Sequence, residues 1–214
     1  MSIQQGIIYI VVLMFAITIH EASHGWAAYK KGDPTAYSLG RITLNPIPHI
    51  DPIGTIALPL LLVIMGAPPF GWAKPVPVNP MNLKNPRKDN LIISAAGPLA
   101  NIVFAVVAVV VLKLFKAAVM GMTTASPAAA NMISGVYMVL YSLVIINVIL
   151  AVFNLIPIPP LDGSGILAGF LSPENARKYE MLQPYGFFIL ILLIMTGIIG
   201  RLIGFVLNFL YMII

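Results

Sequence analysis

The sequence predicts an all-α polytopic membrane protein, with a three-helix core, a re-entrant segment, a short β-strand or hairpin, and a C-terminal transmembrane helix. Three observations carry this. Of 214 residues, 59 % are apolar and 9 % charged, against roughly 45–50 % and about 25 % in soluble domains. With a mean hydropathy of +0.96, the polar residues would not coat a water-soluble globule. Finally, Leu91–Leu112 and Met132–Phe153 are each 22 residues long without an acidic or basic side chain, enough to cross a bilayer at about 20 residues per helix.

The remaining elements follow in order. Ile7–Tyr29 is apolar apart from His20, Glu21 and His24. It has no basic leader and no small-residue cleavage site, so it reads as a retained transmembrane helix and not as a signal peptide. Residues 32–52 form a Gly/Pro/Asn-rich loop with turn signals at Asn45-Pro46 and Asp51-Pro52. Ile53–Met65 is apolar but only 13 residues long and contains Pro59; at ~20 Å it is too short for a ~30 Å hydrocarbon core. It is expected to be re-entrant. Ala67–Asn90 is rich in Pro and Lys, with a strand-like stretch at residues 70–80 centred on Trp72–Val78. After the third span, Asn154–Gly165 is Pro/Gly-rich, and polar Ser172–Gln183 leads into apolar Tyr185–Ile214. The expected organisation is a core over residues 1–171, then a polar connector and a transmembrane or interfacial helix over 172–214.

The chain has no cysteine and 3 histidines. Disulfides, thiolate metal sites and a Cys nucleophile are excluded, so any metal falls to His, Asp or Glu. His20-Glu21-Ala22-Ser23-His24 is an H-E-x-x-H sequence on a helix. Positions i and i+4 share a helical face, so both imidazoles can reach one Zn²⁺, and Glu21, one residue round, is placed as a general base. The bland alternative is a polar cluster that packs helices. Ionisable groups at membrane depth are costly, which favours function.

A catalytic zinc usually has three protein ligands and one open position. The metzincin extension needs a glycine at 27 and a histidine at 30, where this chain has Ala27 and Lys30. No glutamate occurs between Glu21 and Glu174. The candidates for third ligand are therefore His49, Asp51 and Asp162. Asp162 ends the run Asn154-Leu155-Ile156-Pro157-Ile158-Pro159-Pro160-Leu161-Asp162 and is followed by Gly163. The prolines stop the preceding helix and Gly163 permits a tight turn.

H-E-x-x-H in a first helix, paired with N-x-x-P-x-P-P-L-D-G after a later one, resembles the site-2 protease family, peptidase family M50. The likeness covers Ile7 to about Gly165, and Gly97-Pro98-Leu99-Ala100-Asn101 resembles the family's G-x-x-x-N element. The resemblance implies an intramembrane zinc metalloprotease with one Zn²⁺ per chain. His20, His24 and Asp162 would be its ligands, Glu21 the base, and Asn154 a polar group assisting the scissile carbonyl. The chain departs from larger members in leaving no room for a PDZ or CBS domain.

Charge tests the topology independently. If Ile53–Met65 does not cross, Lys30, Lys31, Arg41, Lys74, Lys84, Arg87, Lys88, Arg177 and Lys178 share the active-site face, against Lys113 and Lys116 opposite. Nine against two is a clear positive-inside bias; a crossing segment gives five against six and separates Asp162 from the histidines. The expectation is a multi-pass protein of the cell membrane, its site opening toward the cytoplasm and its N-terminus outside.

The expected reaction is hydrolysis of peptide bonds in or near transmembrane segments of membrane-protein substrates. The partners are that substrate and the lipid bilayer, with no nucleic acid; an oligomer is compatible with the sequence but not required by it. Substrate-binding candidates are His49, Asn101, Trp72, Lys74 and Val76. In an extended strand, Lys74, Val76 and Val78 turn their backbone groups to one edge while Pro75 and Pro77 block the other, which suits β-augmentation. The rival readings are a metal or proton transporter and a catalytically inactive scaffold of the same family.

Overall fold

The computed structural model describes residues 3–66, 71–120 and 126–214. The start of the loop expected from Ala67, including Phe70 at the head of the strand-like stretch, lies outside them. Every regular element among the described residues is helical. Helix α1 spans Ile3–Lys30, α2 Thr35–Ser38 and α3 Leu58–Ile64, the last continuing a π-helical turn over Pro52–Ala57. Then come α4 (Pro86–Val119), α5 (Pro127–Asn154), α6 (Asp162–Phe170), α7 (Pro173–Glu180), α8 (Gly186–Met195) and α9 (Ile198–Tyr211).

Among the described residues, four helical stretches are long and apolar enough to cross a membrane: α1, α4, α5 and Pro173–Met195, which joins α7 to α8. The three spans expected from the sequence fall inside α1, α4 and α5. Helix α4 starts earlier than its apolar run because Pro86 at its first position needs no N–H partner. At the head of α5, Ser126 Oγ accepts from the Ala129 N–H at 3.3 Å. The C-terminal apolar stretch is two helices separated at Gly197.

Helix α4 packs antiparallel to α1. Along α1 and α4, Ala16 meets Asn101 and His24 meets Ile93, so sequence numbers rise on one helix as they fall on the other. Helix α5 returns beside both and delivers α6 against α4. Val12, Leu13, Ala16 and Ile17 of α1 pack on Ile146 of α5, and Ala108 and Leu112 of α4 pack on Val144. Small residues on these faces let the backbones approach closely, as membrane helices require.

The chain between α1 and α4 starts and finishes at one end of the bundle, where Lys31 Nζ lies 3.4 Å from Asp89 Oδ1. Its outgoing and returning halves run together. The Asp33 carboxylate accepts from the Asn79 N–H and Asn82 Nδ2, each at 2.7 Å. Deeper in, the Lys74 N–H donates to His49 O at 3.0 Å and the Trp72 N–H to Gly54 O at 3.2 Å. Ile53–Met65 is represented by the helix Pro52–Ile64 between those halves.

The expected strand or hairpin at 70–80 is not formed: no strand occurs among the described residues. Pro75 and Pro77 have no N–H to give. The N–H groups of Trp72, Lys74 and Val76 go to Gly54 O, His49 O and the Glu21 side chain, three partners on different elements. No single neighbouring strand is available, so no ladder forms.

Candidate metal centre

Helix α1 carries His20 and His24 one turn apart on its buried face. Opposite them stands Gly97 of α4. A Cβ there would lie 2.4 Å from His24 Nε2 and 2.7 Å from His20 Nε2, so only glycine leaves room for both rings. Helical glycine costs roughly 1 kcal/mol relative to alanine; here close approach requires it.

Asp162 opens α6. The chain turns sharply after α5, and a Cβ on Gly163 would fall 2.3 Å from Leu155 O. That fold-back sets Asp162 Oδ2 3.0 Å from His20 Nε2 and Oδ1 3.3 Å from His24 Nε2. The two Nε2 atoms are themselves 3.0 Å apart. Among the described residues, His20, His24 and Asp162 are the one group whose donor atoms all lie within 4.8 Å of one another.

Surrounding bonds set the ring orientations. His24 Nδ1 lies 2.7 Å from Ile93 O. A backbone carbonyl only accepts, so Nδ1 carries the hydrogen and Nε2 offers its lone pair. Pro98, inside α4, has no N–H for the Ser94 carbonyl, the one next to Ile93 O. His20 Nδ1 lies 2.7 Å from Asn101 Oδ1, which imposes the same tautomer. Two imidazole lone pairs and a carboxylate thus face each other, and Asp162 Oδ2 is buried without a well-formed hydrogen bond. Three acceptors so placed repel unless a cation lies among them. The donor set, two neutral imidazoles and one carboxylate, suits Zn²⁺ with a position left open.

Glu21 is not in this group. Its Oε2 accepts from the Val76 N–H at 2.8 Å. The other two third-ligand candidates are occupied elsewhere. Asp51 Oδ1 accepts from the N–H groups of Ile53 and Gly54 at 3.0 and 2.7 Å, capping the helical turn at Pro52. His49 is buried with Nε2 3.1 Å from Thr43 O. Burial pushes its pKa below the usual histidine range, with the nearby Arg41 charge acting the same way against the Thr43 bond and Glu21.

The remaining candidates are scattered over this region. Asn154 Nδ2 donates back to Leu150 O at 3.0 Å. The Trp72 carbonyl accepts from Thr55 Oγ1 at 2.8 Å. The Lys74 carbonyl accepts from the buried Arg41 guanidinium at 2.6 Å. Asn101 sits wholly inside the bundle against His20. Sequence reasoning gave Arg41 no role beyond its charge and did not single out Asp33 or Asn147, the last a lone amide in a mostly apolar run. Its polarity at that depth was the available signal.

A family model described as peptidase family M50 matches residues 8–193. The chain belongs to peptidase family M50. It is 37 % identical over 187 residues to "Putative zinc metalloprotease YwhC" of Bacillus subtilis, covering 87 % of this chain and 80 % of that protein. It is 32 % identical over 191 residues to "Putative zinc metalloprotease Rip2" of Mycolicibacterium smegmatis, covering 88 % and 66 %. The Rip2 of Mycobacterium tuberculosis is 26 % identical over 194 residues, with 90 % and 69 % covered. No solved structure matches the chain.

Proposed function

We propose that this M50 protein is an intramembrane zinc endopeptidase that hydrolyses peptide bonds in or near the transmembrane segments of other membrane proteins. The observation that carries this reading is the convergence of His20 Nε2, His24 Nε2 and Asp162 within 4.8 Å, beside Glu21 and among membrane-length helices. The relatives named as zinc metalloproteases support it.

In this reading His20, His24 and Asp162 hold one zinc. Bound there, it supplies Lewis acidity toward the scissile carbonyl and the attacking water. Glu21 takes the proton from that water and returns it to the leaving amine. The Val76 N–H occupies Oε2 and leaves Oε1 for the proton. Asn154, at the mouth of the turn before Asp162, is assigned to the scissile carbonyl.

A peptide bond inside a helix is shielded, so the substrate must unwind, and its freed backbone groups need partners within the bilayer. Val76 C=O and Val78 N–H have no partner among the described residues. They are the groups left to receive substrate. The Lys74 edge assigned from sequence is already taken by His49 and Arg41. Trp72 then acts as a wall beside Gly54.

The Lys31–Asp89 contact supports a connection that dips into the membrane and returns, with Pro52–Ile64 half-inserted. With that parity the positive-inside bias assigns the Lys30 end to the cytoplasm and the N-terminus to the outside of the cell membrane. His24 and His20 are six and ten residues before Lys30, roughly 9–15 Å in along the helix axis.

The test is zinc analysis of detergent-purified protein with cleavage of a reconstituted membrane substrate, with and without a chelator. One zinc per chain, cleavage lost to the chelator and restored by zinc, and a zinc-loaded but inactive Glu21→Gln variant are expected. Zinc bound without cleavage of any membrane substrate would favour a scaffold, and zinc flux across vesicles a transporter.

A further inference from the structure

We infer that Asn147, midway along α5, is a positioning residue for the metal centre: through the Asn101 amide it fixes which nitrogen of His20 faces the metal. The inference rests on the metalloprotease reading above. Asn147 is 1 % exposed and Asn101 0 %. An unpaired amide in such surroundings is costly, and leucine would pack there at no such cost. The Asn101 amide uses both of its hydrogens and its oxygen, and Asn147 uses its oxygen and one hydrogen, in a chain of bonds that crosses all three core helices.

The direction of that chain is fixed by backbone carbonyls, which can only accept. Asn147 Nδ2 donates to Leu143 O at 2.8 Å. That turns its Oδ1 toward α4, where it accepts from Asn101 Nδ2 at 2.8 Å. Asn101 Nδ2 also donates to Ala16 O at 3.2 Å. Both hydrogens of the Asn101 amide are thereby used, and its Oδ1 is left facing His20 Nδ1 at 2.7 Å. His20 answers with Nδ1–H, and Nε2 keeps its lone pair toward His24 and Asp162.

Inverting the Asn101 amide would set its oxygen against two acceptors, Asn147 Oδ1 and Ala16 O. It would also offer an N–H to His20 Nδ1 and draw the ring into the tautomer with hydrogen on Nε2, which cannot ligate. Ala16 O opposes the inversion with one bond. Asn147 adds the second, from a helix that carries no metal ligand.

Zinc affinity of the intact protein in detergent, measured by competition with a chromophoric chelator, tests this without reference to turnover. Asn147→Leu is expected to weaken zinc binding by roughly 10–100-fold, the usual effect of losing a ligand-orienting partner. If Asn147 acts only through Asn101, the Asn101→Leu/Asn147→Leu double variant binds zinc as weakly as Asn101→Leu alone and no weaker. Losses that add, or wild-type affinity in a folded Asn147→Leu protein, would overturn the assignment. Asn147→Ala, which removes the same acceptor, serves if the leucine variant fails to fold. A wild-type protein that binds no zinc strikes the metalloprotease reading and this inference together; a zinc-binding wild type with an unaffected Asn147 variant strikes the inference alone.

Discussion

The backbone N–H of Val76 meets Glu21 Oε2 at 2.8 Å, so the connection between the first two long membrane helices reaches the residue beside His20. That contact is held from both sides. Upstream, Arg41 binds the carbonyls of Lys74 and Pro75 at 2.6 and 3.2 Å. Downstream, Asp33 binds Asn79 and Asn82. A bond between a loop amide and the Glu21 carboxylate, the base proposed above, orients it only if the loop cannot drift, and these two anchors supply that stiffness.

Replacing Val76 with proline deletes this one donor and leaves His20, His24 and Asp162 untouched. Zinc content should stay at the wild-type value while cleavage falls by roughly 10²-fold, the scale expected when a catalytic group moves by about 1 Å. Metal analysis beside single-turnover cleavage separates the two effects. Normal cleavage by a folded Val76→Pro protein would show that Glu21 needs no partner here.

Gly97→Ala should have opposite effects on the helix and on the site. Alanine favours helix by roughly 1 kcal/mol over glycine, but its methyl would stand 2.4 Å from His24 Nε2. Intact or higher helical content by circular dichroism, together with loss of zinc, is the expected result. Zinc retained at wild-type affinity would mean that the imidazoles have other space to occupy.

What could be read in the sequence divides along local and non-local lines. The i,i+4 spacing of His20 and His24 is a property of one helix, and so is the proline stop before Asp162. Asn147 was passed over because its meaning lies in a bond to a residue 46 positions away. The 70–80 stretch misled for a related reason. Alternating Val and Pro resembles a one-edged strand, yet strands are defined by a neighbour, and here the neighbours are a helix side chain and isolated loop carbonyls. His49 and Asp51 could not be separated from Asp162 as third ligand by type or spacing. Their hydrogen bonds to the loop backbone distinguish them.

The Asp33 anchor carries a pH dependence. Burial by itself would raise this carboxyl's pKa, but bonds from Asn82, Thr35 and the Asn79 N–H outweigh it and hold the group below the ordinary range. A depressed pKa means that the carboxylate stabilises the folded loop fully above the unfolded value of about 3.9, and that the stabilisation is lost as pH falls below it toward the folded pKa. Pepsin nicking within residues 79–85 should therefore rise as the medium is taken below about pH 4. Asp33→Asn should loosen the loop already at neutral pH and flatten the acid response. An unchanged acid profile in that variant would assign the transition to another group.

The path of the chain between α1 and α4 can be tested in a protein that has no cysteine of its own. Lys31 and Asp89 form an ion pair at 3.4 Å, although 57 residues separate them, so α1 ends where α4 begins. A segment that crossed the bilayer once in between would have to leave those two ends on opposite faces. It follows that single cysteines at Lys30 and Lys84 should react with an impermeant maleimide from the same side of sealed vesicles. One at Lys113, near the far end of α4, should react only from the other. The parity also governs the chemistry, since α5 returns Asp162 to the depth of His20 only if α4 starts on the α1 exit side. Labelling of positions 30 and 84 from opposite faces would therefore overturn the Pro52–Ile64 arrangement and, with it, Asp162 as a partner for the two histidines.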